Sequence, residues 1–331
     1  MSKKLLIATL GTSPAVVTEA IDLLTEQKCR PDGAILIRTE DPDVREAYEL
    51  LANHLPQHDG LTWVESVSIG QYGDVDTPEA AVEFMREACR ILKTYRDAGY
   101  RLFVNIAGGR KAMSALLALA VQFYGAERLF HVWVPPWLEA EGEIDRLRNL
   151  PEDVRIQRLH PSPNTEDRPR LVDLPFIGLF PWLEDIRDAL KGNPPDRSLK
   201  TLLQANNLLD SQARPTGLGT AILSILEGVE GLPPARQDSC KVAIAQHHYR
   251  DRLERFAGEL CGRFPFITQI QTGEWRSGQA KVKAEQPNRL RVFEHLGTDF
   301  SVQLILETTA ATSGQLEAAK RAVERYLEQR R

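Results

Sequence analysis

The sequence predicts an α/β protein in which a mostly parallel, doubly wound sheet is followed by a smaller α+β domain containing an antiparallel hairpin. Three observations support this fold class. Short apolar runs alternate with helical patterns over the first 135 residues, which is typical of crossover βαβ units. Turns of small residues follow several of these runs. Near the C-terminus, two segments of alternating polar and apolar residues flank a glycine turn, as in a hairpin.

The first part of the chain contains five predicted strands separated by helices. The strands are predicted at 5–10, 33–38, 62–69 and 128–134, with a further one running from Val104 into Gly108-Gly109. The helices are predicted over 15–26, 42–54, 78–95 and from about Arg110 to the glycine stop at Gly125, with Thr77 as the cap of the third. This alternation builds a Rossmann-like sheet, with its ligands at the carboxyl ends of the strands.

Three segments are predicted to meet at that edge of the sheet. They are Gly11-Thr12-Ser13, the loop 71–78, and Gly108-Gly109-Arg110-Lys111. The paired glycines Gly108-Gly109 let a ligand approach the backbone, and the helix that follows presents unpaired N–H groups. Arg110 and Lys111 add positive charge at the same place. This turn is therefore suited to binding a phosphodiester. Ser13 is expected to cap the helix that Pro14 opens. Neither a G-x-G-x-x-G fingerprint after the first strand nor a GxxxxGK[ST] loop is present, which argues against dinucleotide enzymes and P-loop enzymes.

Composition narrows the class of protein further. The 331 residues are 42% hydrophobic and contain no apolar run long enough to span a membrane, so we expect a cytoplasmic protein without a membrane partner. The four cysteines are scattered and form no CxxC pair, which predicts buried thiols rather than disulfides or a zinc knuckle. The net charge of −5 divides into −8 for residues 1–195 and +3 for residues 196–331, so the C-terminal part favours an anionic partner.

Proline and glycine clusters divide the chain into three predicted parts. Gly192-Asn-Pro-Pro-Asp196 and Gly231-Leu-Pro-Pro234 mark boundaries, which gives a first domain at 1–191, a helical connector at 192–235 and a C-terminal domain at 236–331. In the first domain, 161–169 is predicted to be an exposed ligand flap, 171–180 a final strand and 182–190 a short helix. In the connector, short helices are predicted at 198–209 and 220–227.

The motifs around the two glycine turns carry a family resemblance. The stretches 6–19, Thr77-Pro-Glu79 and Asn105-Ile-Ala-Gly-Gly-Arg-Lys-Ala-Met-Ser114 resemble the CARF sensor domains of type III CRISPR systems over about residues 1–180. The resemblance implies a homodimer whose facing edges bind one cyclic oligoadenylate as an activating ligand, with no other cofactor. By position, the ligand-binding residues would be Gly11, Thr12, Ser13, Gly108, Gly109, Arg110 and Lys111, called the rim below.

The C-terminal part is predicted to contain a strand, a helix, a hairpin of 289–295 and 300–307 around Gly297-Thr-Asp299, and a final helix. This order and the basic residues are similar to RelE-type toxins, which cut messenger RNA on the ribosome. Arg289 and His295 also fit the R-x4-6-H spacing of HEPN nucleases, the commonest partners of CARF domains. A HEPN motif needs helices, whereas these residues lie on an alternating segment, so we interpret the match as accidental.

Metal-independent RNA cleavage needs a base for the ribose 2′-OH, cations for the phosphorane and an acid for the leaving oxygen. Arg289 and Arg291 share one face of a strand and suit the charge role, and His295 suits proton transfer. The residues predicted to be catalytic are Lys281, Lys283, Arg289, Arg291 and His295, called the cation set below.

We expect no catalytic metal. Asp299 with Glu307-Thr-Thr lacks the lysine of a PD-(D/E)xK nuclease, and the adjacent His247 and His248 point apart and have no acidic partner at ligand spacing.

The predicted function is a cyclic-oligoadenylate-activated ribonuclease of CRISPR antiviral defence, and two alternatives remain open. Residues 198–227 and the 289–307 hairpin would form the recognition helix and wing of a ligand-controlled transcription regulator. The sensor itself would be a ring nuclease if Ser13 or Lys111 cleaved the bound ring.

Overall fold

The computed structural model describes residues 2–69, 72–161, 168–193, 196–245, 249–273, 281–296 and 300–329. It contains a six-stranded, mostly parallel sheet and a five-stranded, mostly antiparallel sheet. The predicted fold class is therefore confirmed.

The first sheet has the strand order of a doubly wound fold. Its strands are β1 (Lys4–Thr9), β2 (Gly33–Arg38), β3 (Trp63–Ser68), β4 (Arg101–Asn105), β5 (Arg128–Trp133) and β6 (Arg170–Asp173). The order is β3-β2-β1-β4-β5-β6, and only β6 runs antiparallel to its neighbour. Because the order reverses between β1 and β4, a crevice opens above the carboxyl ends of these two strands.

Helices cover both faces of this sheet. They are α1 (Ala15–Glu26), α2 (Pro42–His58), α3 (Pro78–Asp97), α4 (Lys111–Tyr124), α5 (Pro136–Glu141), α6 (Ile144–Leu147), α7 (Glu152–Leu159) and α8 (Leu183–Leu190). Thr77 caps α3 as predicted, with its hydroxyl accepting from the Ala80 N–H at 3.1 Å. The short helices α5 to α7 were not predicted, because their charged sequences show little apolar periodicity.

The predicted strand at 171–180 is too long. β6 ends at Asp173, and its ladder stops before Pro175, which has no N–H to donate. A one-turn 3-10 helix at Phe180–Trp182 then leads into α8. Of the predicted flap at 161–169, residues 162–167 lie outside the described part of the chain.

The connector contains α9 (Arg197–Ala205) and α10 (Gly217–Val229), as the sequence predicts. Helix α10 packs against α3 and α8, two of the helices that cover the first sheet. Its N-terminus is capped by Thr216, whose hydroxyl accepts from the Gly219 N–H at 3.0 Å. The connector is therefore packed against the first domain.

The second sheet contains the predicted hairpin and two strands that were missed. Its elements are β7 (Lys241–Ala243), α11 (Arg250–Arg263), β8 (Ile267–Thr272), β9 (Val282–Glu285), β10 (Arg289–His295), β11 (Ser301–Thr308) and α12 (Ser313–Gln329). The order is β7-β8-β11-β10-β9. The hairpin thus lies inside a sheet and not in a helical domain, which excludes the HEPN interpretation of Arg289 and His295. The predicted hairpin turn 297–299 lies outside the described residues.

One apolar core joins the two sheets. It includes Phe84 of α3 together with Phe256, Leu260 and Leu316 of the C-terminal part. The expectation of four thiols is wrong, since Cys240 and Cys261 are joined in a disulfide between the start of β7 and α11. In the described residues, no helix is both long and apolar enough to cross a membrane.

Candidate ligand site at the glycine rim

The two glycine turns of the rim are in direct backbone contact. A Cβ atom built on Gly11 would lie 2.8 Å from the Gly109 nitrogen, and one on Gly108 would lie 2.2 Å from the Thr9 carbonyl oxygen. Gly109 also has a φ of +76°, a conformation that side chains disfavour. Each turn therefore needs glycine so that the loops after β1 and β4 can approach each other.

Buried hydrogen bonds hold this contact in place. The Thr9 hydroxyl donates to the Gly108 carbonyl at 2.6 Å. The Asn105 side chain is fully buried; its amide nitrogen donates to the Val16 carbonyl at 3.3 Å, and its oxygen accepts from the Ala107 N–H at 3.0 Å. Asn105 therefore joins the start of α1 to the turn after β4.

A cavity of about 460 Å³ opens beside these turns. This volume lies within the range of small-molecule sites, and the cavity is at the reversal of strand order between β1 and β4. Its rim residues are Gly11, Thr12, Ser13, Gly108, Gly109 and Arg110, whereas Lys111 begins α4 on the exposed edge and does not line it. The structure thus brings six of the seven rim residues to one cavity.

The start of α4 offers backbone donors at this cavity. Within the part of the chain that the structure describes, no side chain caps α4, whose N-cap residue is Arg110. Uncapped N–H groups in the first turn carry partial positive charge and bind anions. The helix start therefore suits a phosphate group at Gly109–Lys111.

Ser13 does not cap α1, contrary to prediction. Its hydroxyl donates to the Gly142 carbonyl at 3.2 Å, and the Thr12 carbonyl accepts from the Ile144 N–H at 2.8 Å. The turn between α5 and α6 packs so closely here that a Cβ on Gly142 would lie 2.6 Å from the Ala15 Cβ. The loop after β1 is thus fixed by this turn rather than by its own cap.

The loop 71–78, the third segment predicted at this edge of the sheet, also reaches the rim. Asp74, in the loop before α3, pairs with Arg110, with 2.9 Å between Oδ2 and Nε. The Arg110 side chain is 66% exposed, so solvent screens the pair and its net stabilisation is small. An anionic ligand can therefore compete with Asp74 for Arg110. Gln71 of this segment lies outside the described residues.

Glu19 is a site residue that the motif-based prediction missed. Its side chain lines the cavity, is 2% exposed, and its Oε2 has no hydrogen-bond partner among the described residues. Burial raises the pKa of Glu19 to about 8, with further contributions from the charges of Asp22 and Glu139. A neutral carboxyl group both donates and accepts a hydrogen bond. The signal in the sequence is an acid on the buried face of α1, one turn after Val16.

Four of the five residues of the cation set share one face of the second sheet. Alternation places Arg289, Arg291 and His295 together on β10, and Lys283 lies directly opposite Arg291. This face also carries acids: Arg289 pairs with Glu307 at 2.6 Å and Arg291 with Glu285 at 2.7 Å. The His295 Nδ1 lies 2.6 Å from the Ser301 hydroxyl. The face is therefore less positive than the sequence predicts.

Lys281 does not join this face. Its ammonium donates to the Leu327 carbonyl at the end of α12 and lies 3.6 Å from Glu294 Oε2. Both partners lie on the side of the sheet that α12 covers, since Glu294 alternates with Arg291 and His295 and is 8% exposed. A helix C-terminus attracts a cation, which explains why this flexible side chain turns away.

Buried ion pairs connect helix α3, which packs on the first sheet, to helix α11 of the C-terminal part. Arg263 of α11 lies 2.8 Å from Glu83 and 3.0 Å from Glu87, both on α3, and all three side chains are nearly inaccessible. Burial acts to raise the pKa of Glu87, but the charges of Arg263 and Arg90 outweigh it and bring the pKa below its ordinary value. Helix α3, which follows the Asp74 loop, therefore contacts the second domain through ionised groups.

Together, the doubly wound sheet and the glycine-lined cavity at its strand reversal define a Rossmann-like ligand-binding domain. The chain belongs to the family of the CRISPR-associated protein NE0113, whose family model matches residues 13–208, more than half of its length. The chain is therefore a CRISPR-associated protein, as the resemblance of the rim motifs implies.

A solved structure of Csm6 from Enterococcus italicus, bound to cyclic hexa-2′-fluoro-hexa-dAMP, is similar to this chain at 13% identity with a TM-score of 0.38. The similarity covers 68% of this chain and 52% of the Csm6 chain, about half of that protein's length. No curated protein matches the sequence.

Proposed function

We propose that this protein is a cyclic-oligoadenylate sensor that controls a metal-independent ribonuclease. The contact between the glycine turns carries the proposal, because it opens a cavity at the strand reversal and exposes the start of α4 beside it. Phosphates of the ring would bind the N–H groups at Gly109–Lys111 and the guanidinium of Arg110. The cavity would take an adenine base.

The cavity's acids support a base rather than a phosphate inside it. Glu19, Glu139 and Glu143 line the cavity together with Arg110. An adenine edge presents an amino donor beside a ring-nitrogen acceptor, and a neutral Glu19 carboxyl group would match both. The carboxylates of Glu139 and Glu143 would repel a phosphate, which instead fits the helix start at the cavity mouth.

A homodimer follows from the symmetry of the proposed ligand. A ring of identical nucleotides suits two identical rims related by a two-fold axis. Arg110 and Lys111 lie on the exposed edge of the first domain, where a second copy could share the ring.

The proposed nuclease site is the face of β9 and β10 that carries Lys283, Arg289, Arg291 and His295. The C-terminal domain, residues 236–331, would act as a RelE-like ribonuclease, joined by the connector 192–235 to the CARF sensor at 1–191. The two arginines would hold the phosphorane and His295 would transfer a proton. Lys281 is left out of this site because it faces α12.

The regulator alternative receives less support. Helix α10 packs on α3 and α8, whereas β10 and β11 are inner strands of the second sheet. A winged helix would need the helix and the hairpin to form one DNA-reading surface.

Calorimetric titration of the full chain with cyclic tri-, tetra- and hexa-adenylate tests the sensor role. We expect one ring to bind per two chains. Failure of all three rings to bind would contradict the proposal, and degradation of the ring during titration would favour the ring nuclease.

A further inference from the structure

A cluster of ligand-type side chains lies away from the rim cavity, between α1, α2 and α7. It consists of His54 on α2, Asp59 just after α2, and His160 just after α7. One ring nitrogen of each histidine and one Asp59 carboxylate oxygen all lie within 4.8 Å of one another. We propose that these three residues bind a Zn²⁺ ion.

The two imidazole rings point the same ring atom at the centre of the cluster. The Nε2 atoms of His54 and His160 are 2.7 Å apart. Zinc–nitrogen bonds of about 2.0–2.1 Å in tetrahedral geometry require about 3.3 Å between two ligand nitrogens. A small outward rotation of both rings therefore makes room for the ion.

The Asp59 Oδ2 lies 3.8 Å from the His160 Nε2, beyond hydrogen-bonding distance. The Asp59 side chain is 6% exposed, and its Oδ2 is buried without a hydrogen-bond partner in the described residues. It follows the C-terminus of α2, where the helix dipole disfavours a negative charge. A hydrogen bond between the two rings leaves this oxygen unsatisfied, whereas a zinc ion satisfies both nitrogens and the oxygen at once.

Asp22 orients one of the proposed ligands. Its Oδ2 lies 2.9 Å from the Nδ1 of His160, on the ring side opposite the cluster. A carboxylate that accepts a hydrogen bond from the Nδ1–H keeps the proton on Nδ1 and leaves the Nε2 lone pair free for a metal, and metal-bound histidines usually have such a partner. Two histidines and one carboxylate are a common zinc ligand set, with water as a fourth ligand.

The ion would fix the end of α7 to α1 and α2. Asp22 lies one turn after Glu19 on α1, so the same helix reaches both the metal cluster and the rim cavity. The metal site does not depend on the identity of the rim ligand.

Metal analysis of the full chain, produced without a histidine tag, tests the proposal. We expect about one zinc ion per chain, and reconstitution with Co²⁺ should give the visible absorption of a tetrahedral cobalt site. His160→Gln should lower zinc affinity at least 100-fold, and Asp22→Asn about 10- to 100-fold. His58→Gln is the matched control, because His58 stacks on His54 at 4.3 Å between ring centroids but lies outside the ligand set; it should retain the metal.

Chelation distinguishes a zinc site from a cluster of side chains that holds no metal. Removal of zinc should lower the melting temperature of the wild type and of His58→Gln by several degrees. Wild-type protein without bound zinc, and unaffected by added Zn²⁺, would overturn the proposal and leave a protonated His160 as the centre of the cluster. Full zinc content in both His160→Gln and Asp59→Asn would also overturn it. If His160→Gln does not fold, the zinc affinity of Asp22→Asn tests the proposal in its place, and an affinity equal to that of the wild type would overturn it.

Discussion

Arg110 at the start of α4 is held by Asp74, with 2.9 Å between the guanidinium and the carboxylate. The same pair joins the proposed phosphate site to the loop that leads into α3, and α3 carries Glu83 and Glu87, which bind Arg263 of the C-terminal part. Transfer of Arg110 from Asp74 to a phosphate would remove this contact from the loop. The pair is therefore where ligand binding would reach the second domain.

Arg110→Ala should weaken binding of cyclic oligoadenylate by about 10- to 100-fold, because a charge-assisted contact to phosphate is lost. Asp74→Asn should strengthen binding several-fold, since Arg110 no longer has a competing carboxylate. Calorimetry with the same ring measures both. Arg101→Ala is the control: Arg101 lies at the opposite end of β4, pairs with Glu127 at 2.7 Å, and should leave affinity unchanged. Equal affinities of all four proteins would contradict this role.

Gly108→Ala should destabilise the protein by about 2–4 kcal/mol, because the new methyl group would collide with the Thr9 carbonyl. Gly258→Ala is the matched control on α11, where a Cβ meets nothing within 4 Å, and it should stabilise the helix by about 0.5–1 kcal/mol. Urea denaturation measures both free energies of unfolding. A Gly108→Ala protein as stable as the wild type would mean that the two turns are not in contact.

The two glycine turns of the rim are the part of the site that the sequence predicts. Gly11 and Gly108-Gly109 are predictable because a break after an apolar strand is a local signal. Glu19 is harder to find, since its place on the buried face of α1 is a local signal, but nothing local shows that this face borders a cavity. His54 and His160 are separated by 106 positions and meet only through the packing of α7, so no spacing rule could join them.

The second domain shows the same limit. Alternation predicts β10 and β11, but not β8 or β9. Lys281 is predicted to belong to the cation set, yet it precedes β9, and its long side chain turns toward Glu294 and the end of α12. Alternation fixes side-chain direction only within a strand.

Glu19→Gln should change how stability depends on pH. The pKa of Glu19 is about 8 in the folded protein and 4.5 ordinarily, so between these values the folded chain holds a proton that the unfolded chain releases. The free energy of unfolding therefore falls as pH rises through this window. Glutamine does not titrate, so the variant keeps this free energy of unfolding. Relative to the wild type, the variant should gain about 2–4 kcal/mol between pH 5 and pH 8.5.

Urea denaturation across this pH range tests the prediction. The control is Glu26→Gln, which removes a carboxylate that is 42% exposed on the same helix. Parallel stability curves for Glu19→Gln and the wild type would show that Glu19 is ionised in the folded protein.

Arg263→Ala should destabilise the protein by about 3 kcal/mol, because the buried Glu83 and Glu87 lose the partner they share and keep only Arg86 and Arg90. Arg250→Ala on the same helix breaks an exposed pair with Glu254 and should leave the free energy of unfolding nearly unchanged. Thermal and urea denaturation compare the two variants. Similar losses in both would mean that the pairs between α3 and α11 are not buried.

RNA cleavage by the full chain, with and without cyclic oligoadenylate, tests the central claim most directly. We expect the ring to stimulate cleavage of free RNA in the presence of EDTA, or of ribosome-bound RNA in a buffer that contains Mg²⁺. Arg291→Ala should reduce the stimulated rate by at least about 100-fold, while Lys320→Ala on α12 should retain it. Arg110→Ala should need more ligand for the same rate. Cleavage that is independent of the ring, or a stimulated rate unchanged by Arg291→Ala and His295→Ala, would contradict the account.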